Sequence, residues 1–499
     1  MQDRSAKYPG RVKLLPVAGQ ENIYDMTRAD EPDDTGTPFN KRTMLQDSTA
    51  QFLKLPLANP FVDDAFRHMV DRIVPIGTIR TSPAQSLGDA WLKCDGSAVT
   101  YGNYPQLCQL LRNSTETVTW ATNAFPTSYS VAKTSSPVYF DGRWIIAAAN
   151  ASTTLWILSA PTIDGEWTVE KTISANVEKI DVTADENYCL VAYGTSAAKI
   201  NVASVEAGSS EWTNFALPTP SVPSSSYTFV AKGLTGCGNY NGRFAVALAG
   251  TLKVAYSGHA QTSVFYTENP IAAQGWTEKA VRDGLNEDEN GSFGCANGKW
   301  FITTVYQQSN QNTGADWTEF AVQWCDDASL FEFSTINRVK ANGASGYVPC
   351  GVSKVVYFNG KYYAAAKGGR QKGQDGVSLL TSVDLSTWTS AKIGEGASQS
   401  EYVCSMAAGD NMLIVADASS IFTSTIPDDG FTEVSIPSGL TMYGVALKGA
   451  LAVAAATVGA VYYDYTYASK LLPTISLSDD TTAFIKAKNE LDVFEAGGD

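Results

Sequence analysis

Between residues 115 and 465 the chain consists of short apolar runs, rich in β-branched, aromatic and small residues, each closed by a polar turn. Runs of this length bounded by turn residues predict β-strands, and their number predicts a region that is almost all β. One string recurs, with Asx-Gly followed by a basic and then an aromatic residue. It reads FDGRW at Phe140–Trp144, YNGRF at Tyr240–Phe244, ANGKW at Ala296–Trp300 and FNGKY at Phe358–Tyr362. Asn-Gly and Asp-Gly favour the type I′ turn, in which both central residues take positive φ, so each string predicts a tight hairpin. Weaker copies stand at 184–188 (ADENY), 408–412 (AGDNM) and 447–451 (LKGAL), which makes seven hairpins.

A second element alternates with the first: Trp-Thr beside a turn, at Trp167, Trp212, Trp276 and Trp388, with degraded copies at Phe333 and Phe431. A further strand, such as TLWILSA or SVFYTEN, lies between each hairpin and its aromatic. Four strands on a period of roughly 50 residues are the pattern of a β-propeller blade. The last hairpin has no aromatic after it, whereas Trp120 in VTWATNAF precedes the first hairpin. The two leftovers make one blade if the strand at Trp120 pairs beside the final hairpin. The pattern therefore predicts a seven-bladed β-propeller over 115–466, closed by strands from both of its ends, with those ends adjacent.

The flanks read differently. In 1–73, YPGRVKLLPV predicts a short strand. Thr37 with Pro38, Asp47, and the spacing of Phe66, Met69, Val70 and Ile73 predict short helices. Such helices seldom make a core alone, so this segment is expected to pack on a partner chain or a second copy. In 74–114, VPIGTIRT and AWLKCDG predict strands, and a helix is expected from Pro105, burying Leu107, Leu110 and Leu111. After the repeats, LLPTIS and TAFIKA predict two more strands within 467–499.

The residues Pro75, Gly77, Thr78, Trp91, Leu92, Cys94, Asp95, Gly96, Tyr104, Pro105 and Leu107 form a pattern that resembles the bacteriophage tail-collar domain. Leu472, Pro473, Ile475, Phe484, Ile485, Lys486 and Ala487 resemble the closing segment of the same family. The resemblance implies a small α+β tail-collar domain, 74–114 plus 467–499, into which the propeller is inserted. The N-terminal segment is similar to the start of tail-fibre proteins, which implies virion attachment. The resemblance also implies a homotrimer, with other tail or baseplate proteins as partners.

Composition narrows the function. The charged fraction of 17 % beside 44 % hydrophobic residues marks a folded chain rather than a disordered one. A net charge of −15 repels phosphate backbones and acidic membrane surfaces, so no nucleic-acid partner and no membrane insertion are expected. No run of 18 apolar residues predicts a membrane span, and the first residues lack the apolar stretch of a signal peptide. Release in a particle assembled in the host cytoplasm fits these features. With eight cysteines, no CxxC and only His68 and His259, no zinc site is expected, and the thiols read as reduced and buried.

The candidate chemistry is sparse. SVDLSTW at Ser382–Trp388 is one residue shorter than a sialidase Asp-box, itself a structural turn. Sialidase-type chemistry needs an arginine cluster. Arg143 and Arg243 sit at the repeat's turn position, and Arg282, Arg338 and Arg370 lack that context. The acidic runs at 286–290, 325–327 and 427–430 lack EF-hand spacing and read as solvated loop carboxylates. The tract at 367–376 lacks the P-loop pattern and reads as an exposed loop. The polar stretches SVPSSSYTF, YSGHAQTS, YQQSNQNTGAD and RVKANGASGYV read as insertion-like loops, where propellers bind ligands. No catalytic, cofactor or metal site is expected. The sequence leads to a non-enzymatic tail-fibre protein whose propeller contacts a host-surface glycan or protein. The alternatives are a purely architectural tail subunit and a glycan-degrading tailspike-like enzyme.

Overall fold

The computed structural model describes residues 5–6, 12–17, 24–28, 32–34 and 74–488. Within the last range, 85, 101, 112–119, 127–128, 196–198, 255–256, 283–290, 311–314, 341–348, 369–375, 395–403, 410–411, 426, 435, 466–468, 476 and 478–480 are excepted. The helices expected near residues 37, 47 and 66 and the acidic run at 286–290 lie outside the described residues. The chain divides into two units, one comprising 1–99, 106–113 and 470–499, the other 100–105 and 114–469.

The larger unit is a β-propeller of seven antiparallel sheets, each starting on an innermost strand. Blade 1 has a broken inner strand, Lys133–Thr134 and Val138–Phe140, then Arg143–Ala149, Thr154–Ala160 and Thr168–Ser174. Blade 2 runs Val177–Ala184, Tyr188–Thr195, Ile200–Glu206 and Thr213–Ala216; blade 3 runs Thr228–Tyr240, Arg243–Val254, Ser257–Thr267 and Thr277–Arg282. Blade 4 runs Ser292–Ala296, Lys299–Asn310, Ala315–Asp326 and Asn337–Lys340. Blade 5 again has a broken inner strand, Pro349–Val352 and Val356–Phe358, followed by Lys361–Gly368, Gly376–Ser382 and Thr389–Gly394. Blade 6 runs Cys404–Ala408, Leu413–Asp417, Ile421–Ser424 and Thr432–Val434. Blade 7 takes Met442–Lys448, Leu451–Ala456 and Gly459–Asp464 from the end of the repeats and Ala121–Ala124 from their beginning.

The sequence pattern maps onto this ring. The four Asx-Gly hairpins have positive φ at both central residues: Asp141 and Gly142, Asn241 and Gly242, Asn297 and Gly298, Asn359 and Gly360. The apolar cores lie between sheets, one for each successive pair around the ring, including blade 7 against blade 1. The aromatic before each outermost strand packs into the interface with the preceding blade. Trp167 joins the core shared with blade 7, Trp212 that with blade 1, Trp276 that with blade 2 and Trp388 that with blade 4. Phe333 and Phe431 do the same in degraded form. Trp120 obeys the rule for blade 7, packing into the core between blades 6 and 7. Its strand closes the ring with the register Ala121↔Tyr462 to Ala124↔Gly459.

In the smaller unit, Thr482–Lys486 lies between Ile79–Ser82 and Trp91–Lys93, with Phe484 opposite Arg80 on one side and Lys93 on the other. Ala90, Trp91 and Phe484 form its small core. The Leu472 N–H donates to Ser97 O, and Thr474 bridges to Asp95, where the sequence predicted a fuller strand. The helix Pro105–Leu110 begins at the predicted proline but buries Leu107 and Cys108, while Leu110 is 49 % exposed. One helical face spans i and i+1 only at its edge, so burying both Leu107 and Cys108 turns Leu110 outward. Val12–Pro16 pairs with Tyr24–Arg28, leaving Val12, Leu14, Leu15 and Tyr24 exposed.

Candidate functional site

The innermost strands are irregular where they meet near the ring axis. Glu178, Thr235 and Tyr443 are extra residues in the ladders of blades 2, 3 and 7, since the register skips each of them. In blade 1 the strand breaks at Ser135–Pro137, and in blade 5 at Ser353–Val355. Both breaks use the same device. The Ser135 hydroxyl accepts from Ala147 N–H and donates to Ser136 O, and the Ser353 hydroxyl accepts from Ala365 N–H and donates to Lys354 O. A bulge or break re-aims side chains that a regular ladder would alternate between faces. Here the disruptions surround a cavity of about 500 Å³ to which every blade contributes. It lies toward the starts of the inner strands, at the end of the ring away from the Asx-Gly hairpins.

Bonds that span the axis form much of the cavity wall. Lys354 of blade 5 reaches Asp181 of blade 2 at 2.7 Å and donates to Cys237 O of blade 3 at 2.8 Å. Asp181 also accepts from the N–H groups of Val182 at 3.0 Å and Cys237 at 2.7 Å. Lys179 of blade 2 donates to Thr235 O at 2.9 Å and Gly291 O at 2.7 Å, one blade and two blades away. Lys133 of blade 1 donates to Glu178 O at 2.7 Å. The hydroxyls of Ser136 and Ser405 stand 3.5 Å apart across blade 7, and Tyr443 donates to Ala132 O at 2.6 Å. Burial alone would lower the Lys354 ammonium, but the Asp181 charge outweighs it and holds the group above its ordinary value. Thr134 and Thr235 also line the cavity; both are buried, and their hydroxyls have no hydrogen-bond partner in the protein. The arrangement offers fixed cations, carbonyls and hydroxyls around a cavity of mixed polar and apolar lining, which is the equipment of a binding site.

The residues singled out in the sequence sit elsewhere, in the scaffold. Arg143 bonds Glu170 at 2.6 Å and Asp141 at 2.9 Å, and Glu170 accepts from Trp212 Nε1 at 2.7 Å, tying blade 1 to blade 2. Arg243 of blade 3 bonds Asp327 of blade 4, which also accepts from Trp300 Nε1 at 2.8 Å. Arg338 contacts Glu319 at 3.4 Å, Arg282 is exposed, and Arg370 lies outside the described residues. In SVDLSTW, the Asp384 carboxylate accepts from Ser386 and Thr387 N–H, which makes a turn that seats Trp388 against Phe320.

Three readings are corrected. Of the acids at 325–327 and 427–430, Asp327 is not a solvated carboxylate, since it is largely buried against Arg243, whereas Asp326 and Asp428 stay exposed while pairing with Lys299 and Lys361. The tract from 367 does not start as an exposed loop: Lys367 is fully buried in a strand, 3.1 Å from the equally buried Asp417 of blade 6. Ser257–Ser263 of YSGHAQTS and the start of YQQSNQNTGAD are extensions of the long hairpin strands of blades 3 and 4 rather than loops. For Asp327 and Lys367 a cross-blade partner, and for the hairpins a longer ladder, supplies what the sequence reading assigned to water. Among the described residues no cluster of three metal-ligating side chains occurs, and no helix is long and apolar enough to cross a membrane.

Sequence reasoning missed the axial residues. Their one signal is charge inside inner strands, Glu178, Lys179 and Asp181 in VEKIDVTA and Lys354 in GVSKVVYF.

No family model and no curated protein matches the chain. Solved structures resemble it at low identity. A catalytically inactive virginiamycin B lyase from Staphylococcus aureus with quinupristin is 14 % identical, covering 70 % of this chain and 98 % of the other, with a TM-score of 0.42. Aleuria aurantia lectin with α-methyl-L-fucoside is 11 % identical over 64 % of this chain and 98 % of its own, with a TM-score of 0.36. A xylan β-1,4-xylosidase from Bacillus halodurans is 10 % identical over 55 % and 60 %, with a TM-score of 0.33. All three lie far below the identity at which function carries over with fold.

Proposed function

We propose that this chain is a bacteriophage tail protein in which the propeller is a host-surface binding module and the smaller unit is a tail-collar domain. The observation that carries this reading is the place of Thr482–Lys486 between Ile79–Ser82 and Trp91–Lys93. The two segments that resemble a tail-collar domain, separated by the whole propeller in sequence, share one sheet. The exposed apolar hairpin of Val12, Leu14, Leu15 and Tyr24 supports docking of the N-terminal segment on other tail proteins or on further copies, with a trimer as the expected form.

Binding is favoured over catalysis by how the axial groups are used. Lys354 and Asp181 neutralise each other and hold backbone groups, and Lys133 and Lys179 hold carbonyls, so these groups serve as fixed recognition elements. Several copies on one particle would add avidity to a weak single site. The test is attachment of the fluorescently labelled full chain to bacterial cells. Saturable attachment, lost after the cell-surface glycans and proteins are stripped, supports the adhesin. Absence of attachment to any strain that the particle infects favours the architectural subunit. Release of sugar from the surface glycan would establish the enzyme instead.

A further inference from the structure

We propose that the axial cavity binds one carboxylated sugar residue, a hexuronic acid or a sugar acid of similar size, through Lys133, Lys179 and the hydroxyls of Thr134 and Thr235. The inference rests on the propeller being a binding module and names the ligand class of that same site.

Four observations converge. First, the volume of about 500 Å³ suits a small polar ligand such as one or two sugar residues. Second, the lining carries Lys133, Lys179 and Lys354 against Glu178 and Asp181, a surplus of one positive charge in a chain of net charge −15. One surplus cation matches a monoanionic carboxylate better than a dianionic phosphate. The Lys133 ammonium has three N–H groups and gives two of them to the carbonyls of Val177 and Glu178, at 3.5 and 2.7 Å, whereas Lys179 contributes its charge.

Third, Thr134 and Thr235 are 5 % and 2 % exposed, and neither hydroxyl has a partner in the protein. A buried hydroxyl without a partner costs stability, so its retention at the wall of a polar cavity points to a ligand that completes it. Fourth, Thr235 is the extra residue of a bulge. A regular ladder through blade 3 would have no such residue, and bulges concentrate where a side chain must be re-aimed.

The experiment is a titration of the full chain, followed by calorimetry or saturation-transfer NMR, with D-galacturonic acid, D-galactose, methyl α-D-galacturonoside and glycerol 3-phosphate. Free acid and glycoside separate a free sugar from a glycan terminus as the source, and glycerol 3-phosphate separates a sugar acid from a bare anion. The uronate should bind roughly tenfold or more tightly than galactose, the worth of one charge-assisted contact. Lys179→Met should erase that preference, and Lys133→Met carries the same test should the first variant unfold. Thr235→Val and Thr134→Val should weaken uronate binding while leaving the unfolding temperature unchanged or raised.

Failure of the uronate to bind, or uronate binding indifferent to all four substitutions, overturns the inference, as does equal binding of glycerol 3-phosphate. The readout is independent of cells. Attachment to cells without uronate binding leaves the adhesin standing and removes this site. Uronate binding without attachment does the reverse.

Discussion

Lys354 Nζ of blade 5 lies 2.7 Å from Asp181 Oδ2 of blade 2, and the two blades are not neighbours in the ring. The pair therefore braces the propeller across its axis, where the interblade cores do not reach. Lys354→Met leaves the Asp181 carboxylate with hydrogen bonds from Val182 N–H, Cys237 N–H and the Cys237 thiol but no counter-charge, and is expected to destabilise the protein by about 1–3 kcal/mol. Asp181→Asn combined with it should cost less than the two single changes added together. Thermal unfolding of the four proteins measures that coupling. Because Asp181 raises the Lys354 ammonium above the ordinary lysine value of 10.5, this contribution is complete below pH 10.5 and is lost only as the pH rises through the raised value.

The seam of the ring is the second place to test. A Cβ on Gly459 would stand 2.1 Å from Asn123 O on the closing strand, and one on Gly444 would stand 2.4 Å from Ser136 Cα of blade 1. Neither contact can yield without moving backbone. Gly459→Val and Gly444→Ala are each expected to cost about 3 kcal/mol or more. Trp120→Ala, which empties the core between blades 6 and 7, should cost about 3–5 kcal/mol. Unfolding temperatures of these variants, against Gly275→Ala with no atom near its Cβ, separate seam effects from glycine effects.

Acid should weaken the tie between blades 1 and 2. Burial alone would raise the Glu170 carboxyl, but hydrogen bonds from Arg143, Ser159 and Trp212 outweigh it and hold it below its ordinary value of 4.5. A depressed carboxyl contributes stability above its unfolded value and loses it as the pH falls through the folded one. The stability of the native protein should therefore decline below pH 4.5, and its advantage over Glu170→Gln should shrink over the same range. Chemical denaturation of both proteins between pH 7 and pH 3 checks the sign.

The thiols give a fourth handle. Burial pushes Cys108 and Cys325 up to about 11 and Cys295 up to about 12, and raises Cys189 and Cys237 as well. The thiolate is the reactive form, so these residues should resist a thiol reagent at pH 8 in the folded protein and react fully after denaturation. Fast modification of Cys237, between Asp181 and Lys354, would mean that the axial brace is open in solution.

The ring was legible because its information is local. Type I′ turns demand positive φ at adjacent residues, so Asp141-Gly142 or Asn359-Gly360 announces a hairpin by itself. The unmatched Trp120 identified the closing strand for the same reason, since it carries the blade's aromatic at the wrong end of the repeat. The axial cavity was not legible. Its lining comes from inner strands far apart in sequence, and a bulge such as that at Thr235 shifts the alternation that pattern reading depends on. Lys367 was misread because Gly-rich flanks look exposed, whereas its partner Asp417 lies 50 residues later. Leu110 was misread because a helix of 6 residues buries one narrow face and cannot take every leucine it carries.

We propose that this chain is carried on a phage tail with its propeller facing the host. Immunogold labelling of purified particles, with an antibody raised against the full chain, tests it most directly. Gold confined to the distal end of the tail is the predicted result; particles that carry no label, or carry it only on the capsid, would contradict it.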